Sequence, residues 1–268
     1  MPKFSIITPV NLWNIERVDK FLVTIESVKN QTFKDFEWIV VDDGSSESFL
    51  WDQLVVKEIP LLTIIHKDHE ERVIALNAGM EVAKGDWFIF LDSDDELAPD
   101  ALEILSKYID KNRGQHWMFN YGAIYKHIDG KVTKRAPFKP KWMGKKYGHE
   151  VFGGGNIVNG TFIFHKRVYK KLGGYPPRYI EEIDCEPINY GGKRDLLMNS
   201  PFNFAAYAQI EFPELRQFFM VDHVNEPQKI IKELGNPWGN DFYIFYKYTR
   251  KYQSRAIEEY LYIVHPRN

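Results

Sequence analysis

The sequence is poor in the residues and patterns that mark several classes of protein. Its 268 residues include a single cysteine, Cys185, which excludes an internal disulfide, does not suggest a zinc site and fits a reducing compartment. No uninterrupted apolar run approaches the roughly 20 residues of a membrane-spanning helix. The formal net charge is −2, so the chain lacks the strongly basic character of a general nucleic-acid binder. No internal repeat or low-complexity tract is visible, which argues against repeat architectures.

What is present is the composition of a folded domain. Hydrophobic residues make up 44% and charged residues 27% of the chain, and the length allows one large domain or two small ones. Aromatic residues reach 15%, which suits either a core or platforms that stack on sugars. The N-terminal apolar run is too short for a signal peptide. We therefore expect a cytoplasmic protein, with contact to the inner face of the membrane left open.

One stretch organises the chain, Asp86–Asp95, which reads D-W-F-I-F-L-D-S-D-D. Its apolar part, Trp87–Leu91, is short and bounded by polar and turn residues, as is typical of a strand buried on both faces of a parallel sheet. Three carboxylates, Asp92, Asp94 and Asp95, follow this strand directly. Because ligands of open α/β sheets bind beyond the carboxyl ends of the strands, this turn is a candidate site.

The three carboxylates indicate a cation. Carboxylates this close in sequence repel one another unless a positive charge lies among them. Ligands that are all oxygen favour Mg²⁺ or Mn²⁺, which commonly bridge to a substrate diphosphate. The alternative is a solvated acidic turn that caps the next helix, with Pro99 in its first turn. Taken alone, the D-S-D-D turn favours that alternative.

Strand and helix patterns alternate along the chain, and this alternation predicts an α/β fold with a doubly wound, parallel sheet. A second strand also ends in carboxylates, at Asp42 and Asp43, and the two acidic ends would form one site if their strands were neighbours. The predicted strands are Phe4–Thr8 (stopped by Pro9), Phe36–Val41, Leu61–His66, Trp87–Leu91, Thr161–Phe164 and Tyr260–Val264; the predicted helices are Asn14–Asn30, Arg72–Ala83, Ala101–Ile109, Lys166–Leu172 and Asp241–Tyr252; and a β-hairpin is predicted from Trp117–Ile128 and Lys131–Thr133.

Two segments of the second half do not have this periodicity. Residues 135–146 are basic, with Trp142 among them, and fit a solvated loop or a contact with phosphate or an anionic membrane. Residues 178–237 have weak helical periodicity and are rich in aromatic and amide side chains. They suit an acceptor-binding region or a structural insertion equally well.

Several segments together resemble glycosyltransferase family 2, whose members have the GT-A fold. The resemblance covers the N-terminal half well and the second half in patches, and residues 178–237 have no counterpart in it. In the G-E-D segment of the family, Asn240 stands where glutamate is usual. The matching segments are Phe4–Pro9, Ser27–Phe33, Asp35–Ser45 and Ala75–Asp95, and less closely Phe164–Tyr175, Gly239–Arg250 and Tyr262–Pro266.

The resemblance implies a mostly parallel central sheet flanked by helices, with a smaller mixed region on the acceptor side. Residues 1–110 would form the half that binds the nucleotide-sugar donor. Residues 111–268 would form the half that binds the acceptor and carries the catalytic base, with an unusual insertion at about 178–237. The acceptor would be a glycan or a lipid-linked glycan, as in polysaccharide biosynthesis. The sequence does not indicate which sugar is transferred or how many chains assemble.

The resemblance also implies roles for individual residues. Asp43 would accept a hydrogen bond from the imide N–H of a uracil-like base. The other donor-binding residues would be Thr8 and Pro9 at the base, Arg72 at the diphosphate, Asp92 near the ribose, and Ser93. Mn²⁺ or Mg²⁺ would be held by Asp94 and Asp95, with His265 as a further ligand.

The expected reaction is an inverting transfer from a UDP-sugar to a hydroxyl group, with Asp241 as the general base. Asp241 begins a predicted helix, whose positive end favours an anion, and an N-terminal cap is its alternative role. A nucleotidyltransferase is a second possibility, although Pro9–Leu12 lacks the glycines of a phosphate-binding loop. A nucleotide-sugar binder without catalytic activity is the third, because Asn240 departs from the family pattern.

Overall fold

The structure is a computed structural model that describes residues 1–46, 59, 61–70, 72–113, 117–137, 160–175, 244, 248, 251–252 and 254–266. Asp241, Asn240 and residues 178–237 therefore lie outside the described residues. The strands are β1 (Phe4–Val10), β2 (Phe36–Asp43), β3 (Leu62–Lys67), β4 (Trp87–Phe90), β5 (Glu96–Leu97), β6 (Met118–Lys126), β7 (Val132–Arg135), β8 (Phe162–His165) and β9 (Ser254–Val264); the helices are α1 (Ile15–Lys29), α2 (Arg72–Val82), α3 (Ala101–Lys111) and α4 (Lys166–Leu172).

The nine described strands form one sheet in the order β3-β2-β1-β4-β8-β6-β9-β5, with β7 paired to β6 outside this path. Strands β1 to β4 are parallel to one another. Beyond β4 the sheet is mixed, because β8 runs antiparallel to both β4 and β6 whereas β9 is parallel to β6. The prediction of an α/β fold with a mostly parallel central sheet, flanked by helices, and a smaller mixed region is confirmed.

The first helix shows why the local predictions succeed. The side chain of Asn14 caps α1 by accepting a hydrogen bond from the backbone N–H of Arg17 at 3.0 Å. The buried residues of α1 include Val18, Phe21 and Ile25, which recur at the spacing of one helical face. The structure thus confirms the helix predicted at Asn14–Asn30. The prediction succeeds because the cap and the apolar spacing are both local features of the sequence.

The predicted bounds were wrong at several strands. Proline does not stop β1, which continues through Pro9 to Val10. Pro9 lies beyond Ile7, the last residue of β1 that pairs with β4, and the end of a ladder is a position where sheets tolerate proline. Strand β5 was not predicted, and β9 begins at Ser254 rather than Tyr260. The pairing of β6 with β9 shifts register near Gly122, and this irregularity breaks the alternation by which a strand is recognised.

The sheet is covered by a hydrophobic core on each face. On one face α1 and α3 pack through residues such as Phe21 and Leu105. On the other, α2 and α4 pack through residues such as Leu76 and Val168, together with Ile244 and Tyr248. Ile244 and Tyr248 have helical backbone and fall within the helix predicted at Asp241–Tyr252. The remaining described part of that segment, residues 251–252, is a turn and a bend.

A buried carboxylate ties together the amino-terminal ends of three strands. Oε1 of Glu37, on β2, accepts hydrogen bonds from the hydroxyl of Ser5 at 2.6 Å and from the backbone N–H groups of Lys84 and Gly85 at 2.6 and 2.9 Å. Glu37 is 5% exposed. These contacts fix the turn that leads into β4 and so set the register of the strand that carries the acidic turn.

Candidate functional site

The candidate site lies at the carboxyl ends of β2, β1 and β4. The chain builds the sheet outward from β1 to β3 and then returns to place β4 on the other side of β1. Such a reversal of strand order opens a crevice in which α/β proteins bind ligands. The two acidic strand ends are therefore not on neighbouring strands: Asp42 and Asp43 lie on one side of β1, and Asp92–Asp95 lie on the other.

The acidic turn after β4 contains one buried carboxylate and two that are partly exposed. Asp95 is 6% exposed, whereas Asp92 and Asp94 are both half-buried. Oδ1 of Asp95 accepts a hydrogen bond from the backbone N–H of His265 at 3.0 Å, and its backbone carbonyl accepts one from the hydroxyl of Thr24 at 2.8 Å. Burial, followed by the negative charges of Asp92 and Asp94, raises the pKa of Asp95 to about 8.

The end of β9 supports this turn. The hydroxyl of Tyr262 accepts a hydrogen bond from the backbone N–H of Asp92 at 3.0 Å and also bonds to the carboxyl group of Asp95. Tyr262 is fully buried, and burial is the main cause that raises its pKa well above the ordinary value. The two residues that begin and end the acidic cluster are thus both attached to the last strand.

The ring of His265 binds a carboxylate outside the predicted set. Its Nε2 lies 2.7 Å from Oε1 of Glu96, which also receives Nζ of Lys126 at 2.8 Å. Partial burial acts to raise the pKa of Glu96, but the hydrogen bonds from Lys126 and His265 outweigh it and leave the pKa lowered. The role of His265 as a metal ligand stays a prediction, and its backbone N–H is what contacts Asp95.

Arg72 and Asp92 form an ion pair at the acidic turn. Nε and Nη2 of Arg72, the first residue of α2, lie 2.9 and 2.8 Å from the same oxygen, Oδ1 of Asp92. Two residues predicted separately to bind the donor are therefore in direct contact. The pair places a guanidinium group beside the acidic turn, where the diphosphate of a donor would need positive charge.

On the other side of β1, Asp43 is 4% exposed at the end of β2. The backbone N–H of Glu70 donates to its Oδ1 at 2.9 Å, and Nδ1 of His69 lies 3.0 Å from its Oδ2. The amide of Asn11 donates to the backbone carbonyl of Asp43 at 2.5 Å. This set of contacts joins the ends of β1, β2 and β3 around one carboxylate.

The remaining predicted donor residues occupy different positions. Thr8 is fully buried, and its hydroxyl oxygen accepts a hydrogen bond from the indole N–H of Trp38 at 2.9 Å. Its side chain therefore belongs to the core, and a contact of its main chain with a base stays a prediction. Pro9 is buried beside it, and Ser93 is half-buried within the acidic turn. Asp241 lies outside the described residues.

The acidic turn has the chemistry of a site for a hard divalent ion. Its three carboxylates offer only oxygen, and Mg²⁺ is usually held by one or two carboxylates together with substrate phosphates. Within the part of the chain that the structure describes, no three His, Cys, Asp or Glu side chains form a ready-made metal cage. The residues thus fit a metal that shares its coordination with a donor diphosphate.

Sequence reasoning missed the residues that support the site, namely Asn11, His69, Glu96 and Tyr262. One signal was available for His69, since a His-x-x-His pattern at residues 66–69 begins at the last residue of the third predicted strand. Tyr262 and Glu96 had no such signal, because their partners are distant in sequence or belong to a strand that no pattern marks.

A sheet of this order with an acidic turn at its switch point defines a GT-A glycosyltransferase fold. The sequence model of "Glycosyl transferase family 2" matches residues 15–173, more than half of the chain. The protein belongs to that family.

Individual relatives agree with this assignment. The chain is 26% identical over 189 residues to the amylovoran biosynthesis glycosyltransferase AmsB of Erwinia amylovora, covering 68% of this chain and 62% of that protein. It is 32% identical over 124 residues to an uncharacterized glycosyltransferase of Rickettsia conorii, covering 46% of this chain but 19% of that protein. The chain thus spans about a fifth of the length of this Rickettsia relative.

A solved structure matches nearly the whole chain. It is S. aureus TarS 1-349 in complex with UDP-GlcNAc, which covers 99% of this chain and 59% of that chain with a TM-score of 0.59 at 14% identity. At this identity the likeness shows the fold. Among the described residues no helix is both long enough and apolar enough to cross a membrane.

Proposed function

We propose that the protein transfers a sugar from a UDP-sugar to a hydroxyl of a glycan or lipid-linked glycan, with inversion of the anomeric configuration and with a divalent metal. The observation that carries this proposal is the set of side chains that flank the end of β1. Asp43 lies on one side, and the Asp92–Asp95 turn, with Arg72 against Asp92, lies on the other. This arrangement offers a polar acceptor for a base and opposite charges for a diphosphate.

The base is assigned to uracil because of Asp43. A carboxylate has about four positions at which it can accept a hydrogen bond, and the contacts with Glu70 and His69 take one on each oxygen. The remaining positions suit the imide N–H of uracil, a group that cytosine lacks. The complex of TarS with UDP-GlcNAc supports a uridine donor as the first one to test.

Asp94 and Asp95 would hold Mn²⁺ or Mg²⁺, with His265 as a further ligand, and the metal would act as a Lewis acid for the departing diphosphate. Arg72 would add positive charge at the same place, since its guanidinium group already lies in the turn. Asp95 has a raised pKa because it is buried among other carboxylates, and a bound cation would favour its charged form. Asp94 is the ligand to test first, because it is half-buried and lies between Asp92 and Asp95 in the sequence.

Asp241 is proposed as the general base that takes the proton of the acceptor hydroxyl. A single displacement assisted by one base inverts the anomeric carbon, which is the outcome expected of the family. Residues 178–237 are proposed to contribute to acceptor binding. The proposal for both rests on sequence, since both lie outside the described residues.

The test is a panel of nucleotide sugars measured by calorimetry with and without Mn²⁺, followed by donor hydrolysis and transfer. We expect UDP and UDP-sugars to bind in a metal-dependent way, and the UDP-sugar donor to be hydrolysed. Asp94→Ala should abolish the metal dependence. Asp100→Asn is a matched control, because Asp100 is an exposed carboxylate at the start of α3 that makes no side-chain capping bond.

Each contrary outcome points to a different correction. Metal-dependent affinity that survives in Asp94→Ala would remove the acidic turn from metal binding. Tighter binding of GDP or CDP than of UDP would show that the donor class is wrong. Binding without any hydrolysis or transfer would indicate a nucleotide-sugar binder rather than an enzyme.

A further inference from the structure

The carboxylate of Asp43 is held by the loop between β3 and α2. Nδ1 of His69 lies 3.0 Å from Oδ2 of Asp43 and also 3.0 Å from its backbone carbonyl oxygen. The side chain of Asp43 is 5% exposed, whereas that of His69 is 67% exposed. A histidine on the surface therefore reaches inward to bind a buried carboxylate.

The partners of His69 indicate where its proton lies. Two oxygens of Asp43 lie 3.0 Å from Nδ1, and an unprotonated nitrogen between two oxygens would be repelled by both. The amide nitrogen of Asn11 is farther away, at 3.3 Å, and donates to the carbonyl of Asp43 at 2.5 Å. Nδ1 therefore carries a hydrogen and donates it to Asp43, and the same hydrogen bonds are available to a neutral ring.

The backbone holds His69 close to Asp43. Gly44 has φ +73°, and a Cβ at that position would lie 2.6 Å from the backbone nitrogen of His69. The turn after β2 and the loop after β3 thus touch where no side chain could fit. Since Glu70 also donates to Asp43 from this loop, the loop contacts both oxygens of the carboxylate.

We propose that His69 is a positioning residue for nucleobase recognition: it fixes the rotation of the Asp43 carboxylate so that its remaining lone pairs face the imide N–H of uracil. The inference rests on the proposed function, in which Asp43 contacts the base. Without the donor at Nδ1, and among the residues that the structure describes, the carboxylate would keep the bond from Glu70, on its other oxygen, and lose the one on Oδ2. The carboxylate could then rotate, and ordering it on binding would weaken the affinity for the base.

The chain offers a matched control in the neighbouring pair. Nδ1 of His66 lies 2.9 Å from Oδ2 of Asp42, with side-chain exposures of 59% and 5%. Distance and burial are thus close to those of His69 and Asp43. Successive residues of a strand face opposite sides of the sheet, so Asp42 cannot face the same ligand as Asp43. Loss of His66 should therefore leave base recognition unchanged.

The experiment measures the affinity of the full chain for UDP and CDP by calorimetry with Mn²⁺ present, for the wild type, His69→Ala, His69→Asn and His66→Ala. One lost neutral hydrogen bond should weaken UDP binding by roughly 3- to 10-fold in His69→Ala. CDP binding should change little, so the preference for UDP over CDP should fall. His69→Asn should restore most of this preference for UDP, because the amide nitrogen of asparagine lies about where Nδ1 of histidine does.

UDP affinity within twofold of the wild type in His69→Ala would overturn the inference, as would an equal loss in His66→Ala or an equal loss for CDP. Failure of the proposed function would give different results. The wild type would show no preference for UDP over CDP, or Asp43→Asn would keep the preference of the wild type. If His69→Ala lowers the melting temperature, His69→Asn and His69→Gln decide instead. Both keep an amide, and only the shorter side chain should bind UDP nearly as the wild type does.

Discussion

The hydroxyl of Tyr262 accepts a hydrogen bond from the backbone N–H of Asp92 across 170 residues of sequence. It also bonds to the carboxyl group of Asp95. The last strand therefore shapes the turn that is proposed to hold the metal. Gly160 is part of the same arrangement, since a Cβ there would collide with the ring of Tyr262.

Removing that hydroxyl should weaken both the fold and the site. In Tyr262→Phe the partly buried N–H of Asp92 loses its partner, which should lower the free energy of unfolding by about 1 kcal/mol. Metal-dependent UDP binding should also weaken, because Asp95 loses a hydrogen bond. Urea denaturation and calorimetry measure the two effects. Tyr260→Phe, on the same strand but half-exposed, is the control, and equal effects in the two variants would refute the role of the Tyr262 hydroxyl.

Asp241→Asn tests the proposed base. Asparagine keeps the shape of the side chain and its ability to cap a helix, but it cannot take a proton. Transfer should fall by roughly 10²- to 10⁴-fold, the usual share of general-base catalysis, while UDP affinity stays as in the wild type. A structural Asp241 predicts the reverse pattern, with near-normal transfer in Asp241→Asn and a lower melting temperature in Asp241→Ala.

Glu37→Leu should destabilise the protein without affecting nucleotide affinity. Leucine has no oxygen to accept the hydrogen bonds from the hydroxyl of Ser5 and the backbone N–H groups of Lys84 and Gly85. Leaving buried donors without an acceptor costs about 1–3 kcal/mol, which chemical denaturation can resolve. Because Glu37 is near the amino end of β2, a selective loss of UDP affinity with unchanged stability would contradict this assignment.

His165 should make stability depend on pH. Burial lowers its pKa from 6.5 to about 4. The ring packs between Trp87 and Trp117, and its Nδ1 accepts a hydrogen bond from the backbone N–H of Arg167 at 3.1 Å. Between pH 6.5 and 4 the unfolded chain binds this proton more readily than the folded one. The stability that the neutral ring of His165 contributes is therefore fully present above pH 6.5 and is lost as the pH falls toward 4.

The measurement is the melting temperature of the wild type and of His165→Asn between pH 4 and 8. Asparagine can cap α4 in place of histidine but does not titrate. The variant should lose some stability at every pH, since it lacks the aromatic ring. The difference from the wild type should then shrink as the pH falls below 6.5. A difference that stays constant over this range would show that the ring is not held neutral.

The order of elements in the N-terminal half was predictable because its signals are local. The apolar spacing of Val18, Phe21 and Ile25 and the cap at Asn14 define α1 without reference to the rest of the chain. The apolar run at Trp87 and the carboxylates that follow it define β4 and the acidic turn in the same way. Even the resemblance to glycosyltransferase family 2 is carried mainly by such contiguous segments.

Only the tertiary structure decided which residues support the site. The contact of Arg72 with Asp92, of His69 with Asp43 and of Tyr262 with the acidic turn each joins elements that are separate in the sequence. Such a contact cannot be read from the sequence of either segment, because one hydrogen bond between distant residues does not change the spacing of apolar residues in them. For the same reason β5 was missed, since β9 is the partner of its two residues among the described strands. The sequence by itself determined the elements and the acidic strand ends, and the packing of the sheet determined which side chains meet there.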